Sequence, residues 1–451
     1  MRYIIIRYLK RTPRLFFLIR RFYYWSHRRL YFWSQKIFFF RRYQKKRSHR
    51  VADYRRLIDD YLRNKINPDY KEISEKVEKE IHKINKFELK LTSKWWLLFV
   101  RSIDSKNGFS DINKYINELH NETLSLPFNQ NSSFALLELY ALLLEYGLYS
   151  IGCIIRSKSA KLVLKEGINK SSNKNILTRY LSAAFEERRQ AELKDSLEEI
   201  IALNSDYDEI HVLNLFFNKI FFKINSEKLH KERYIENFFS DLINGKRVAI
   251  VGPAQNDLNN GKEIDSFDII VRFNYKGENI DAKNYGSRTD ISYFNGANTW
   301  DLQNKYKKLQ INDLKAAVYK VSVIENYLNC KCNRRMFLPL EHCMLDSSPN
   351  ALQNMLADLL LYQPQEIKVF SIDMRLTNKR DISYGIMGES FWDRYYPKAS
   401  HDPYSNYLFI EYLYSNNLIS VDSKLKKILD LGIVDYMMQL QEVYKNKAIA
   451  S

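Results

Sequence analysis

The stretch RVAIVGPAQNDLNNGKEIDSFDIIVRFNYKGENIDAKNYGSRTD, residues 247–290, decides the fold. It contains two short runs of β-branched and apolar residues, 247–251 and 268–273, which stop at Gly252 and Asn274. In parallel α/β sheets, ligands bind beyond the carboxyl ends of the strands, where glycine lets a phosphate or ribose approach the backbone and asparagine supplies donors and acceptors. The stretch therefore predicts a nucleotide site.

The same stretch resembles sialylmotif L of the sialyltransferases of glycosyltransferase family 29. That family's pattern is C-A-V-V-G-N-S-G, then G-x-x-I-D-x-x-D-x-V-x-R-x-N, then G-x-R-T, and so many matches in order make chance a poor explanation. The matching residues are Val248, Ala249, Ile250, Val251 and Gly252, then Gly261, Glu263, Ile264, Asp265, Asp268, Arg272 and Asn274, then Gly286, Ser287, Arg288 and Thr289. Pro253 replaces the family's nucleotide-binding asparagine, so Gln255 or Asn256 is expected to take that role.

Downstream of the motif, the runs DISYFN (290–295), KAAVYKVSV (315–323) and EIKVFSIDM (366–374) are continuously or nearly continuously apolar. Such runs are typical of a sheet that is covered on both faces. We therefore predict an α/β domain over 246–451 with at least five strands and Rossmann-like winding, and the resemblance implies a GT-A-like variant of it. The strand ends at Gly252, Asn274, Asn295 and Asp373 are expected to meet at one edge and bind a nucleotide.

Residues 51–245 repeat apolar side chains at intervals of three and four and contain little glycine or proline. This pattern predicts a mainly α-helical domain, a bundle or a stack of helical hairpins, in front of the α/β domain. Trp95 and Trp96 are expected in its core, and the apolar run 134–155 is expected to be a buried helix because it carries Glu138 and Glu145. The D-x-D sequence at 206–208 falls in a turn between helices, so no metal role is expected for it.

Residues 1–50 hold 16 Lys or Arg and no Asp or Glu, against 55 basic and 53 acidic residues in the rest of the chain. Fifteen aromatic residues are interleaved with these cations. A helix of this composition lies in the headgroup region of an anionic bilayer, each cation adding about 1 kcal/mol. Nucleic-acid binding, docking to a partner and packing on the chain's own body are the alternatives. No run is long and apolar enough for a spanning helix or a secretory signal, so a cytoplasmic, peripheral location at the inner face of the membrane is predicted.

The four cysteines, Cys153, Cys330, Cys332 and Cys343, are too few and too unevenly placed for a disulfide framework. Cys330, Cys332, His342 and Cys343 lie close in sequence, but their spacing is unusual for zinc, and reduced thiols near a core are the preferred interpretation. In the animal family members a disulfide joins motifs L and S. The corresponding residues here are Val248 and approximately Tyr362, so the resemblance suits a reducing compartment.

The segment SSPNALQNMLADLLLYQPQEIKVFSIDM, 347–374, is similar to sialylmotif S. Ser347 and Ser348 precede a helix opened by Pro349, and the N-terminus of a helix favours an anion. A phosphate contact is one interpretation of the two serines and an ordinary helix cap is the other.

His401 stands where the family's very short motif begins with a histidine, after Tyr395 and Tyr396 in the place of its aromatic motif III. The family has a glutamate five residues further on, where this chain has Asn406, and Asp402 is a candidate to orient the ring instead. His401 is the predicted general base, with His342 as its rival.

The resemblance implies transfer of a sialic acid or related keto-sugar acid from a CMP-sugar, with inversion at the anomeric carbon and no metal or cofactor. Asn274 and the Gly252 loop would hold ribose and cytosine. The leaving phosphate would be held by Ser347, Ser348, Tyr395 or Tyr396. Arg272 and Arg288 either bind the donor carboxylate or pair with Asp265 or Asp290.

The first hypothesis is therefore a membrane-associated glycosyltransferase that acts on a hydroxyl of a lipid-linked or cell-surface glycan precursor in polysaccharide biosynthesis. The alternative is a non-catalytic, membrane-associated glycan-assembly protein with a nucleotide-binding α/β domain. An RNA-binding protein with a basic arm is a third hypothesis, which salt-dependent RNA binding would test.

Overall fold

The computed structural model describes residues 51, 53–62, 69–84, 89–104, 107, 109–167, 174–204, 208–223, 236–275, 280–294, 313–320, 332–340, 343–377 and 401–450. The predictions for residues 1–50, Asn295, Tyr395, Tyr396, Cys330 and His342 lie outside these residues.

The first half of the described chain is helical, as its apolar periodicity predicts. Residues 53–62 are helical, and a π-helical turn spans Phe217–Phe221. The remaining helices are α1 Tyr70–Ile84, α2 Ser93–Ile103, α3 Phe109–Ser125, α4 Ser133–Glu145, α5 Tyr149–Glu166, α6 Lys174–Glu186, α7 Gln190–Asn204, α8 Asp208–Phe216 and α9 Asn237–Ile243. A 3₁₀ turn, Phe128–Gln130, precedes α4.

The core of this region contains the residues expected there. Trp95 and Trp96 are fully buried, with their rings edge to face and 5.1 Å apart between centroids. Glu138 is buried inside α4, where the hydroxyl of Tyr54 donates to its carboxylate over 3.3 Å. In the part of the chain that the structure describes, no helix is both long enough and apolar enough to cross a membrane.

Seven parallel strands make up the sheet in the described residues, in the order β5-β4-β3-β2-β1-β6-β7. The strands are β1 Arg247–Val251, β2 Ile269–Phe273, β3 Ile291–Phe294, β4 Ala316–Lys320, β5 Asn333–Phe337, β6 Glu366–Phe370 and β7 Ser420–Val421. The associated helices are α10 Gly261–Asp265, α11 Ala282–Tyr285, α12 Ala351–Leu360, α13 Pro403–Ser415, α14 Ser423–Asp430 and α15 Gly432–Ala450. A parallel sheet with many helices agrees with the α/β fold class that the sequence predicts.

The helical region and the sheet region share one hydrophobic core. Buried residues from Val51 to Leu440 form a continuous cluster, and the described part of 51–451 belongs to one compact unit. Phe216 of α8 stacks on Phe409 of α13 with ring centroids 5.8 Å apart. The Nζ of Lys219 donates to the Leu361 carbonyl over 2.6 Å, and burial lowers the pKa of that amine. The division of the chain into two domains near residue 245 stays a prediction.

Candidate functional site

The strand order places a topological switch point between β1 and β6. From β1 the chain adds strands in one direction, through β2, β3 and β4 to β5, and then returns to place β6 and β7 on the other side of β1. Because all the strands are parallel, Gly252, Asn274 and Asp373 follow their strands at the same edge, as the sequence predicts. Open α/β sheets bind ligands in the crevice at such a switch point.

Gly252 closes the end of β1 against the end of β6. Its N–H donates to the Phe370 carbonyl over 2.8 Å. A Cβ built on Gly252 would lie 2.5 Å from the Ser371 carbonyl oxygen and 2.2 Å from Cδ1 of Ile372. Glycine is required here for the close approach of two strand ends, a requirement that exists without any ligand.

The loop after Gly252 presents the two residues expected to replace the family's asparagine. The Nδ2 of Asn256 donates to the Ser371 hydroxyl over 2.7 Å, and its backbone N–H donates to the Tyr285 hydroxyl over 3.1 Å. Gln255 is exposed, and its carbonyl accepts from the Nζ of Lys424 over 2.9 Å. Asn256 therefore joins the β1 loop to the end of β6, whereas the side chain of Gln255 faces solvent.

Two residues that follow strands at this edge have left-handed backbones. Asn274, directly after β2, has φ +48°, and Ser371, directly after β6, has φ +57°. Asparagine tolerates this region better than most residues, and serine is uncommon in it. Backbone conformations of this kind concentrate at ligand sites, where the surrounding structure enforces them.

Most of the remaining motif residues pair with one another. The Asp265 carboxylate accepts from the backbone N–H and the hydroxyl of Ser287, over 3.0 and 2.9 Å. A Cβ on Gly261 would lie 1.8 Å from the Ala282 carbonyl oxygen, and one on Gly286 would lie 2.7 Å from Asp265 Oδ1. These contacts lock α10 onto α11. They account for the spacing of the motif by packing rather than by contact with a ligand.

Arg288 is at the opposite edge from the candidate site. Its Nη2 donates to the Phe267 carbonyl over 2.5 Å, just before β2 begins, and its Nε pairs with Asp290 over 3.3 Å, just before β3. Arg288 is therefore wrongly predicted as a ligand of the donor carboxylate, because the length of a strand separates it from Asn274 at the carboxyl ends. The predicted alternative, pairing with Asp290, is confirmed.

Arg272 is buried, and its guanidinium holds the 285–289 turn. Nε donates to the Thr289 hydroxyl over 2.9 Å, and Nη2 donates to the carbonyls of Gly286 and Arg288 over 3.3 and 3.2 Å. Carbonyl oxygens and a hydroxyl thus take the place of the expected carboxylates, Asp265 and Asp290. Nη1 has no hydrogen-bond partner in the described part of the chain.

His401 is half-buried, and its Nδ1 lies 3.0 Å from the carbonyl oxygen of Ser348. A carbonyl oxygen only accepts, so this contact places the proton of the neutral ring on Nδ1 and leaves Nε2 as the basic nitrogen. The sequence could not reveal this partner, because every residue has a backbone carbonyl.

The Asp402 carboxylate does not hold the His401 ring directly, which corrects that prediction. Its carboxylate is buried and accepts from Tyr140, from Arg156 Nε over 3.1 Å and from the N–H of Tyr404 over 3.0 Å, where it caps α13. Asn406, which stands in the place of the family's glutamate, accepts through Oδ1 from the N–H of Asn350 over 2.9 Å. These two residues join α13 to its neighbours.

Ser347 is fully buried, and its hydroxyl accepts from the N–H of Asp402 over 2.8 Å. The predicted phosphate contact does not fit this position, since the hydroxyl faces the interior. Ser348 is half-buried and holds His401 through its carbonyl. Neither serine caps α12, whose N-cap residue is Asn350.

Arg375, which sequence reasoning missed, links the loop after β6 to the segment that contains Ser348. Its Nη2 donates to Asn350 Oδ1 over 2.9 Å, its N–H donates to Asp373 Oδ1 over 3.0 Å, and its φ is +69°. Arg375 thus connects the loop after β6 to Asn350, two residues beyond Ser348, whose carbonyl contacts His401. The sequence signal that could have indicated Arg375 is a cation two residues after Asp373, which was predicted at the end of a strand.

Behind His401 lies a group of buried charged and polar side chains that we call the Arg156 cluster: Arg156, Glu186, Asp402 and Ser405. The side chain of Arg156 has no exposed surface, and its Nη2 pairs with Glu186 Oε2 over 2.8 Å. Burial raises the pKa of Glu186 above its ordinary value, although the charge of Arg156 opposes this. The cluster joins α5 and α6 of the helical region to the residues around His401.

The cysteines follow the expected pattern only in part. Cys153 and Cys343 are buried and free, and burial raises the pKa of the Cys153 thiol to about 12. Cys332 is disulfide-bonded, which corrects the expectation of a reduced thiol at that position. Within the described ranges, no His, Cys, Asp and Glu side chains are grouped to bind a metal ion.

No protein-family model matches the chain. No curated protein sequence matches it either. Among solved structures, the chain is similar to a mammalian sialyltransferase crystallised with Gal-beta-1-3GalNAc-ortho-nitrophenol, at 14% identity over 49% of this chain and 83% of that one, with a TM-score of 0.28. A similarity of this strength carries no conclusion about fold or activity.

Proposed function

We propose that the chain is an inverting glycosyltransferase that moves a sialic acid or a related keto-sugar acid from a CMP-sugar to a hydroxyl of a glycan. One observation carries the proposal: Nδ1 of His401 lies 3.0 Å from the Ser348 carbonyl, which fixes the ring. The hydrogen bond from Arg375 to Asn350 connects the segment that contains Ser348 to the switch-point edge. The resemblance of residues 247–290 to sialylmotif L supplies the donor class.

In the proposed reaction, Nε2 of His401 accepts the proton of the acceptor hydroxyl. The hydroxyl oxygen forms a bond to the anomeric carbon, the bond from that carbon to the CMP phosphate oxygen breaks with its electron pair, and CMP leaves. The attack comes from the face opposite to CMP, so the configuration inverts. A general base with a pKa near neutrality typically contributes 10² to 10⁴ in rate.

For the donor, the proposal assigns ribose and cytosine to Asn274, Asn256 and the loop after Gly252. Arg375 replaces Ser347 as the candidate for the leaving phosphate, because a guanidinium stabilises a departing anion without giving up a proton. Ser348, Asn295, Tyr395 and Tyr396 stay predicted donor-site residues. No metal or cofactor is assigned a role.

The test combines nucleotide binding with turnover on the full chain. Thermal shift with CMP, CDP, UMP, UDP and GDP should show selective stabilisation by CMP, because a ligand that binds only the folded state raises its stability with occupancy. Incubation with CMP-sialic acid and CMP-Kdo and a panel of glycan acceptors should then release CMP and form product. Stabilisation by UDP or GDP instead of CMP would contradict the donor assignment.

His401→Gln keeps a polar side chain and removes the base. Transfer should fall by about 10² to 10⁴ with CMP binding retained, whereas the control His120→Gln, on helix α3, should leave transfer unchanged. Full activity in a folded His401→Gln protein would refute the mechanism.

A non-catalytic nucleotide-binding protein is the second candidate. It is favoured by the burial of Ser347 and by the absence of Arg288 from the site edge, since both remove groups that the family-like mechanism would use. CMP binding without any turnover across donors and acceptors would establish it in place of the transferase.

The proposal places the enzyme on an anionic membrane surface through residues 1–50, next to a lipid-linked acceptor. Sedimentation with vesicles should show binding that rises with the fraction of anionic lipid and is lost on removal of residues 1–50. Binding to RNA with a steep salt dependence, and none to vesicles, would favour the nucleic-acid alternative.

A further inference from the structure

The Arg156 cluster lies directly behind the turn that carries His401. The guanidinium of Arg156 donates through Nε to Asp402 Oδ2 over 3.1 Å and through Nη2 to the Ser405 hydroxyl over 2.8 Å. The same Nη2 pairs with both carboxylate oxygens of Glu186 over 2.9 and 2.8 Å. The aromatic ring of Tyr404 lies 5.2 Å from the guanidinium carbon and closes the cluster on one side.

The cluster holds both peptide segments that meet at the His401 ring. Glu186 Oε1 accepts from the N–H of Leu345 over 3.1 Å, and Arg156 donates to the Leu345 carbonyl over 3.4 Å, which fixes the segment leading to Ser348. Asp402 and Ser405 belong to the other segment, the start of α13. Both segments that meet at the Ser348 carbonyl and His401 Nδ1 are therefore held by Arg156 and Glu186, and the bond from the Asp402 N–H to the Ser347 hydroxyl joins the two segments to each other.

Stability alone is a poor explanation for this arrangement. Desolvating a guanidinium and two carboxylates is costly, and well-packed apolar residues in the same space are often as stabilising or more so. Buried charged groups instead fix the orientation of the groups that they bind, because each of their hydrogen bonds is satisfied in only one geometry. Nη1 of Arg156 has no hydrogen-bond partner among the described residues, so the cluster is not optimised for stability.

We propose that Arg156 is a positioning residue for His401, and that the helical region is thereby part of the catalytic site rather than an accessory to it. Arg156 orients the ring by holding Asp402 and Leu345, the two anchors of the segments that contact each other at His401. That His401 is the base rests on the function proposed above. The claim that Arg156 fixes the orientation of the ring does not depend on that function.

The first experiment measures the ring itself. Histidine-selective ¹³C and ¹⁵N labelling of the full chain, with His401→Gln to assign the signal, should show the Nδ1-protonated form when the ring is neutral. Arg156→Met should remove this preference and shift the His401 signal. The matched control, Arg335→Met, breaks another buried pair, in which Nη1 of Arg335 lies 2.5 Å from Asp358, and should leave the His401 signal in place.

An unchanged His401 signal in a folded Arg156→Met protein would overturn the proposal. If Arg156→Met does not fold, Arg156→Lys and Glu186→Gln decide the question. The lysine keeps the charge and loses the fork, and the glutamine keeps the shape and loses one charge. Each variant should shift the His401 signal and reduce the Nδ1-protonated form in part. An unshifted signal in both variants would refute the positioning role.

The second experiment measures transfer. In Arg156→Met, kcat should fall by about 10²-fold, as expected for a misplaced catalytic group, while the KM for the CMP-sugar stays within about twofold. The limb of the pH profile that reports the base should move, and Arg156→Lys should restore part of kcat. A loss of active enzyme alone would lower kcat without moving that limb. If the wild-type chain transfers no sugar, the proposed function fails, and the ring measurement still tests the positioning role.

Discussion

At the scale of single residues, the glycines of the 247–290 stretch are explained by packing. Gly252, Gly261 and Gly286 each stand where a Cβ would meet a backbone or carboxylate oxygen at 2.7 Å or less. Asn274 and Ser371, directly after β2 and β6, have instead the left-handed backbone conformations that concentrate at ligand sites. A glycine motif of this kind therefore identifies a fold more securely than it identifies a nucleotide.

This interpretation predicts the stability of two alanine variants. Gly261→Ala places a Cβ 1.8 Å from the Ala282 carbonyl oxygen, so α11 must move, at a cost of about 1 to 3 kcal/mol or more. In Gly432→Ala, the new Cβ has open space and only the positive φ of +76° is unfavourable, which costs about 1 kcal/mol. Urea denaturation should show the larger loss for Gly261→Ala. Equal losses would contradict the packing role.

Two aspartates that cap helices should respond to pH with opposite signs. Asp422 is buried at the start of α14 and accepts from the N–H of Ser371 over 2.7 Å. Burial raises its pKa above the ordinary 3.8, with its backbone hydrogen bonds opposing the shift. Asp281 is exposed at the start of α11, and the hydrogen bond from Asn284 lowers its pKa.

The sign follows from proton linkage. For Asp422 the folded state binds the proton more tightly, so its contribution is fully present below pH 3.8 and is lost as the pH rises through the higher folded pKa. Relative to Asp422→Asn, wild-type stability should therefore fall as the pH rises through that window. Relative to Asp281→Asn, it should fall as the pH drops below 3.8, through the lowered folded pKa. Thermal unfolding from pH 3 to 7 measures both slopes, and slopes of the same sign would refute the assignment.

At the scale of elements, hydrophobic pattern predicted the strands that are buried on both faces and missed the others. β1, β2, β3, β4 and β6 lie within the predicted apolar runs. β5, NRRMF, begins with two exposed polar residues, and its Arg335 is buried only because Asp358 of α12 pairs with it. β7 has only two residues, too few to form a pattern.

The candidate site was predictable to a similar degree. His401, Asn274 and the Gly252 loop could be selected from sequence, because strand ends and family-like spacing mark them. The Ser348 carbonyl, Arg375 and Arg156 could not. A backbone acceptor has no sequence signal, and Arg156 comes to Asp402 from 246 positions away.

The buried ion pair of Arg179 and Asp346 gives a prediction for how α6 anchors the loop in front of α12. Nε of Arg179 in α6 donates to Asp346 Oδ1 over 2.7 Å, and the ring of Phe134 covers the guanidinium at 3.3 Å. Arg179→Met removes the guanidinium that pairs with the buried Asp346 carboxylate, so the free energy of unfolding should fall by about 3 to 5 kcal/mol.

Chemical denaturation measures this loss, and two further variants complete the cycle. Arg179→Met combined with Asp346→Asn should recover part of the stability, because no charge is then left buried. Arg189→Met removes the exposed pair with Glu192 and should cost less than about 1 kcal/mol. A loss at Arg179 as small as that at Arg189 would show that the buried pair is not an anchor.

At the scale of the whole molecule, the helical region is required to complete the core. Helix α13, which follows His401, packs on Phe185 and Phe216 from α6 and α8, with Phe409 at ring distances of 6.0 and 5.8 Å. In α15, Gln441 accepts from the Ser150 hydroxyl over 2.8 Å. The α/β half alone would expose these apolar faces to water.

We therefore expect residues 51–451 to unfold in one cooperative calorimetric transition, because the shared core gives neither half an independent interior. A fragment of residues 246–451 should be unfolded or aggregated, with little fixed tertiary signal in near-ultraviolet circular dichroism. Two resolved transitions, or a folded fragment, would instead establish the two-domain division near residue 245.

The place of β6 beside β1 has a consequence for synthesis. Arg247 and Glu366 are aligned in the sheet although 119 positions separate them. At ribosomal speeds of 5 to 20 residues per second, the nascent chain carries an open β1 edge for roughly 6 to 24 s. An unpaired strand edge is a template for pairing with other chains. Translation stalled before residue 366 should therefore yield insoluble chains that depend on chaperones, whereas release after residue 421 allows the edge to close.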